Sequence, residues 1–471
     1  MSEITGEKTN PIAAVLPLAI IVGILGLFLT TYFGEIGEET FIPFASTVAL
    51  FVYILTFIDI RIGLAALFLT IGMSPELTIG EVSNVRLEDF VIPVIFIAWI
   101  TRLIEKREEF APTVLKAPII LYIVVAIVAS LLGITAETTK PTRCFMVFGK
   151  TVEYFIIFLI VLNNIKSEKD AKAFIIMAII IAIISSFRSL TTYEIEKETI
   201  RATRIMGPPG EGANILAGYI VMNMGITVGL FLSLQNIRYR LLLGLIFFFL
   251  LYTLMFTFSR TGYAALALGL IFFGIIKKRQ VLFVVLVALI AFPLIAPPEV
   301  ANRAMTITNV PTQDQPESWK ARVAAWNESI DVVISSPLFG KGLGSVNLAD
   351  TDNEYVKVAR EMGILGLLVF VWLMVKIGIQ AFFAYNNVTY DKFIHGYIAG
   401  YLIAFLSILI HAMGATSFTS IRTMETFMLL TGIFVAIVNN YQEWEKEAKH
   451  AITPENIEYA ATKGKKVSWT T

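Results

Sequence analysis

Cysteine, histidine and charge are what this chain has least of, and each scarcity removes a class of protein. One cysteine, Cys144, excludes an intramolecular disulfide. Three scattered histidines, His395, His411 and His450, cannot build the usual zinc, haem or iron–sulfur sites with that one cysteine. Only 16% of the 471 residues are charged, against about a quarter in a soluble domain. A chain of this size cannot face water with so few. The charges also cancel, 37 Lys+Arg against 37 Asp+Glu, so no overall basic field points to nucleic acid. The opening MSEITGEKTN lacks the basic flank and small-residue cleavage site of a removable signal peptide, so the first apolar run is read as retained.

What is abundant is hydrophobic sequence, 56% of the chain. It arrives in runs of roughly 16 to 22 residues, the length a helix needs to cross about 30 Å of hydrocarbon. Hydropathy places spans near 11–32, 41–59, 62–73, 89–104, 117–134, 144–163, 171–189, 213–235, 240–258, 262–276, 281–297, 363–384, 393–412 and 423–440. The expected fold is all-α, a polytopic integral membrane protein of about 12–14 transmembrane helices. The 62–73 run is short for a full crossing and reads as a tilted or re-entrant segment. The chain divides into N-terminal spans (1–200), spans with outer arginines (201–297), a long connector (298–362), C-terminal spans (363–440) and a tail (441–471).

Short basic connectors, TRLIEKREEF, NNIKSEKDAK, NIRYR and the KKR at Lys277 to Arg279, belong in the cytoplasm by the positive-inside rule. Alternating the spans puts all of them, both termini and the tail on one side. The outer side then carries ten arginines against five lysines. Arginine opposes the topology rule there, and its planar fork suits phosphate or carboxylate, so a binding role competes with ordinary loop composition. The connector 298–362 falls outside as well. Within it, WKARVAAWNESIDVVIS spaces Val323, Trp326, Ile330 and Val333 as the stripe of an amphipathic helix, expected at the outer membrane boundary or over a cavity mouth.

Several outer residues could carry chemistry. RATRIMGPPGEGAN holds Arg201, Arg204 and a glycine–proline turn leading into a helix at Ala213, with Asn214 in its first turn. Forked donors beside a helix N-terminus make an anion pocket, while a capped helix with solvated charges is the plainer reading. The turn FSRTG is so short that Ser259 and Arg260 must sit at the lip of two apolar helices. A permanent charge there calls for a phosphate or carboxylate partner, or snorkels to lipid phosphate. Asp352 could accept a proton from an attacking hydroxyl and Asn353 could orient it; helix capping explains the same pair. Asp350 and Asp352 also have the spacing of a divalent-cation site, but arginines can neutralise phosphate without metal, so no cofactor is the favoured expectation. Lys150 and Glu153 should pair on one helix face and could line a cavity. Arg322 and Arg422 complete the candidate substrate-binding set.

Three stretches together resemble the O-antigen ligase and polymerase family of membrane glycosyltransferases: RIMGPPGEGAN with its following span, TFSRTGYAALALGLI, and RVAAWNESIDVVISSPLFGKGLGS through DNEYVKVAREMGILGLL. They cover roughly residues 201–370; the first 200 residues share only hydrophobicity. The resemblance implies transfer of a glycan from a polyprenyl diphosphate donor to an acceptor hydroxyl, lipid-linked or lipid A-core-like, at the outer face of the cytoplasmic membrane. Arg204 and Arg260 would match the arginines that hold the donor diphosphate. Asp352 occupies the position before Asn353 where ligases typically carry histidine, a departure that moves weight toward a polymerase. The competing classes are a transporter or flippase of a lipid-linked or anionic solute, and a structural envelope component. The single large outer loop and the lack of an internal repeat weigh against a carrier.

Overall fold

The computed structural model describes residues 38–74, 76–79, 82–191, 193–196, 199–202, 212–305, 317–345 and 352–450. These residues form helices α1 (Glu38–Ile58), α2 (Ile60–Met73), α3 (Glu88–Lys106), α4 (Lys116–Thr135), α5 (Pro141–Asn164), α6 (Glu168–Thr191), α7 (Ala213–Ser233) and α8 (Ile237–Phe256). They continue with α9 (Arg260–Ile276), α10 (Arg279–Ile295), α11 (Pro298–Met305), α12 (Glu317–Ser335), α13 (Glu354–Asn387), α14 (Lys392–His411) and α15 (Ile421–His450). Every apolar run expected from residue 41 onward coincides with one of them. The run at 11–32 and the tail beyond 450 lie outside the described residues. Among the described residues eight helices are long and apolar enough to cross a bilayer, and four shorter apolar helices accompany them. The protein is an all-α, multi-pass membrane protein.

Local chemistry starts these helices where the apolar runs begin. Asp59, Asn236, Ser259, Asn353 and Asp391 each accept a hydrogen bond from a backbone N–H in the first turn of α2, α8, α9, α13 and α14. Pro141 opens α5, where its missing N–H costs nothing.

The connectors sort into two sets that meet at opposite ends of the bundle. At one end, Ala111 N–H donates to Asn163 Oδ1 (2.7 Å), Asn439 Nδ2 to Pro112 O (2.7 Å) and Trp444 Nε1 to Lys166 O (3.2 Å). Lys172 pairs there with Asp391 at 2.7 Å. These are the connectors assigned to the cytoplasm, and we call this the tail end. At the other, the long-loop end, Thr138 Oγ1 donates to Lys341 O (2.6 Å), Thr139 Oγ1 to Leu343 O (2.9 Å) and Asn353 Nδ2 to Met413 O (3.0 Å). The alternation read from hydropathy is therefore reproduced by which connectors touch.

Two glycine pairs set the centre of the bundle. Gly225 and Gly229 on α7 face Gly396 and Gly400 on α14 so closely that a Cβ at Gly229 would lie 2.1 Å from Gly400 N. The same small-xxx-small spacing on both helices lets two backbones touch, which is how helices gain packing energy where lipid removes the hydrophobic drive between them. Across α14, a Cβ at Gly269 of α9 would lie 1.9 Å from Ser407 Oγ. α7, α9 and α14 thus form a tightly spaced group, and α7 and α14 are among the most enclosed of the long helices.

Four features depart from expectation. Two antiparallel hairpins interrupt the helices at the long-loop end: β1 (Glu76–Ile79) with β2 (Val82–Arg86), and β3 (Tyr193–Glu196) with β4 (Thr199–Ala202). The helix expected from 363 already begins at Glu354, because Asn353 caps it, and it is broken at Gly363 (φ 69°, ψ −170°). The connector contains a second helix, α11. The amphipathic helix is present as α12, but its stripe is only partly enclosed: Trp326 and Val333 are half-buried, whereas Ile330 is 52% exposed. Arg360 of α13 holds the helix by a polar contact as well, donating to the buried Ser329 Oγ (3.3 Å) and pairing with Glu328 (3.1 Å).

Two outcomes follow. Gly229→Leu should force α7 and α14 apart and destabilise the protein by at least about 1–3 kcal/mol, read as a fall in the unfolding midpoint in nanodiscs; an unchanged midpoint would contradict the backbone contact. In a Cys144→Ala background, cysteines placed at Glu137 and at Lys278 should react with an impermeant maleimide from opposite sides of sealed vesicles, Glu137 from outside.

Candidate functional site

Three helices that begin at the long-loop end, α7, α9 and α13, bring their first turns together around residues 412–420, which link α14 to α15. Ser259, the cap of α9, donates its Oγ–H to Asn214 Oδ1 in the first turn of α7 (2.7 Å) and accepts from Gly262 N–H (3.1 Å). Next to Arg260, Thr261 Oγ1 donates to Gly414 O (3.4 Å). Next to Asp352, Asn353 donates to Met413 O, and Glu354 N–H donates to Ala412 O (2.9 Å). Residues 412–414 therefore fasten the starts of α9 and α13, and Arg260 and Asp352 flank the same short strip of backbone. Converging N-termini bring together the positive ends of helix dipoles, an environment favourable to anions.

Glu354 locks the rest of that connector. Its carboxylate accepts from Phe418 N–H (2.9 Å), Thr419 N–H (3.1 Å) and Thr419 Oγ1 (2.6 Å), and the side chain is buried. His411, also buried, contacts Ser417 Oγ through Nδ1 at 2.7 Å.

A cavity of about 470 Å³ lies beside this strip, bounded by α3, α4, α5, α13 and α15. Lys150 projects into its lining from α5, hydrogen-bonded to Asp89 at the start of α3 and to Glu153 at 3.0 Å, with buried Glu425 of α15 at 4.0 Å. Lys357 and Glu361 of α13 form a second pair at 2.6 Å on the lining. Opposite charges this close offset the cost of burying them, provided each finds its partners.

The candidate residues thus fall into three groups. Asn214, Ser259, Arg260, Asp352 and Asn353 gather at the strip, and Lys150 sits on the adjoining cavity. Arg422 lies elsewhere: wholly buried at the start of α15, it donates to Ile71 O (3.2 Å) and to Ser74 O, closing the end of the short helix α2. That is a fastening contact. Arg201 stands in β4 opposite Glu194, and Arg322 stands on α12, but their side chains, like all of Arg204 and Asp350, lie outside the described residues. Reading the sequence gave Glu354 no role beyond an acid near the outer arginines and passed over Asp89 and Glu425. Each is an acid within a few residues of a helix start, where its ordinary explanation is the helix dipole, and only the fold shows what it faces.

Residues 245–371 match the family model described as O-antigen ligase. That segment of the chain is O-antigen ligase-like. The matched segment runs from α8 to the middle of α13 and so contains Ser259, Arg260, Asp352 and Asn353, while Asn214, Lys150 and residues 412–420 come from outside it. No curated protein matches the chain.

Glu354→Ala should cost about 1–3 kcal/mol for the acceptors it removes. It should also raise amide hydrogen exchange at 412–420 more than at α7; protection unchanged at 412–420 would show that the carboxylate does not hold the connector.

Proposed function

We propose that this O-antigen ligase-like protein transfers a glycan from a polyprenyl diphosphate donor to an acceptor hydroxyl at the outer face of the cytoplasmic membrane, and that it acts as a polymerase. One observation carries the reading: Arg260 and Asp352, far apart in the chain and both inside the matched segment, flank one strip of backbone where helix N-termini converge. Arg260, joined by Arg204 from the segment that precedes α7, holds the diphosphate. The N–H groups at the starts of α7 and α9 add to the same positive field. Asp352 takes the proton from the attacking hydroxyl, whose oxygen bonds to the anomeric carbon as the bond from that carbon to the diphosphate breaks. The leaving diphosphate stays on its carrier, and preorganised arginines stabilise its growing charge without reorganisation. Direct displacement of this kind inverts the anomeric centre. An aspartate where ligases of the resembling family carry histidine favours the polymerase, whose acceptor is another lipid-linked glycan.

Turnover with a defined polyprenyl diphosphate oligosaccharide, analysed by mass, tests the assignment. Arg260→Ala and Arg204→Ala, inserted normally, should each lower transfer by about 100-fold or more. Asp352→Asn should lower kcat by about 100-fold with the donor KM little changed. Parent-level transfer by both arginine variants would remove the donor site.

A further inference from the structure

The cavity beside the strip is not built for a diphosphate. Its charged lining is balanced, Asp89, Glu153 and Glu361 against Arg143, Lys150 and Lys357. Both lysines are already held by carboxylates, Lys150 by Asp89 and Glu153 and Lys357 by Glu361. An incoming phosphate would have to displace those carboxylates or lie against them, and like charges at that range repel strongly away from water. A hydroxyl has neither difficulty, because it can donate to the carboxylate and accept from the ammonium of the same pair. The hydroxyl-bearing side chains of Thr151 and Thr419 extend the polar wall. Aromatic rings share the lining, with Tyr122 centred 6.0 Å from Phe155 and 6.4 Å from Phe370. Paired charges, hydroxyls and aromatic rings in one cavity match a sugar ring, which carries hydroxyls at its edge and C–H groups on its face.

Two further features say what kind of glycan and where it reacts. At the start of α5 the cavity is bordered by Phe145 and Met146, which are 71% and 49% exposed, a lipid-compatible rim that lets an apolar tail remain in the bilayer. On α13, Lys357 enters the lining four residues after Asn353, about 6 Å along the axis at 1.5 Å per residue, so the cavity ends next to Asp352. Thr419, on the lining, is held by Glu354 of the same first turn.

We propose that this cavity binds the neutral sugar portion of a lipid-anchored glycan, the acceptor, and delivers its hydroxyl to the start of α13. The assignment of the ligand as acceptor rests on the transferase reading above; the chemistry of the cavity does not.

Gly149 supplies the test, because it lines the cavity and a Cβ there meets nothing within 4 Å. Gly149→Trp fills the space without striking the backbone, and Gly149→Leu is a smaller plug if the indole prevents folding. In nanodiscs, a dodecyl maltoside bearing a diazirine beside the sugar should label the peptides 141–155 and 354–374 of the parent. Labelling should fall at least ten-fold in Gly149→Trp or Gly149→Leu. Excess unlabelled dodecyl maltoside should compete, whereas dodecyl phosphate and free maltose at the same concentration should not. In the transfer assay the plugged variant should show an acceptor KM raised at least ten-fold and an unchanged donor KM. Undiminished labelling of those peptides in both plugged variants, or competition by dodecyl phosphate as strong as by the maltoside, overturns the proposal. Transfer with an unchanged acceptor KM in the plugged variants overturns it while leaving the transferase reading intact. A parent that labels as expected but transfers nothing supports the neutral-sugar cavity and removes the transferase reading instead.

Discussion

The backbone contact between α7 and α14 is the constraint on which the arrangement of the long-loop end depends. Gly225, Gly229, Gly396 and Gly400 remove the side chains that would hold the two helices apart, and Gly269 does the same for α9 against Ser407. In a bilayer there is no hydrophobic gain from burying one apolar helix against another, so close packing has to supply the association. Once those axes are set, the first turns of α7 and α9 and the end of α14 must emerge together. The 2.7 Å contact between Ser259 and Asn214, and the bond from Thr261 to Gly414, are downstream of that spacing.

A second feature is that the lysines lining the cavity lie against carboxylates. Lys150 lies among three carboxylates, and Lys357 lies against Glu361. Arg422 spends its donors on the carbonyls that end α2, a helix of 14 residues, about 21 Å long and too short to span about 30 Å of hydrocarbon alone. The hairpin of β1 and β2 follows that short helix and returns the chain to α3. The protein therefore separates two polar regions that lie side by side: a strip with converging helix N-termini and arginine, suited to negative charge, and a cavity with balanced charge and aromatic rings, suited to a neutral ligand. The start of α13 belongs to both.

Much of the architecture was legible in the sequence because a membrane imposes its own period. A helix must bring about 20 apolar residues to cross, and the breaks between such runs are marked by NIRYR, KKR and FSRTG. The long connector showed an amphipathic helix, but not that Arg360 would hold it through the buried Ser329 while Ile330 and Ile334 stay outside. The two hairpins were missed because strands of 4 or 5 residues between long helices carry too little pattern to register. Ser259, Asn214 and Asn353 were picked out as single residues; the acceptors of Thr261 and Asn353, Gly414 and Met413, have no chemical signature in a sequence because it is only their backbone carbonyls that accept.

By itself the sequence determined the membrane setting, the alternation of the spans, and a short roster of polar residues at one end, since each of these follows from local composition read along the chain. Tertiary structure alone decided which of those residues meet. It separated Arg422, which closes α2, from Arg260, which stands at the strip, although both are arginines in outer connectors. It also set the balanced cavity apart from the strip, because contacts between residues as distant as Asp89, Lys150 and Glu425 depend on helix packing that glycines permit and no local pattern reports.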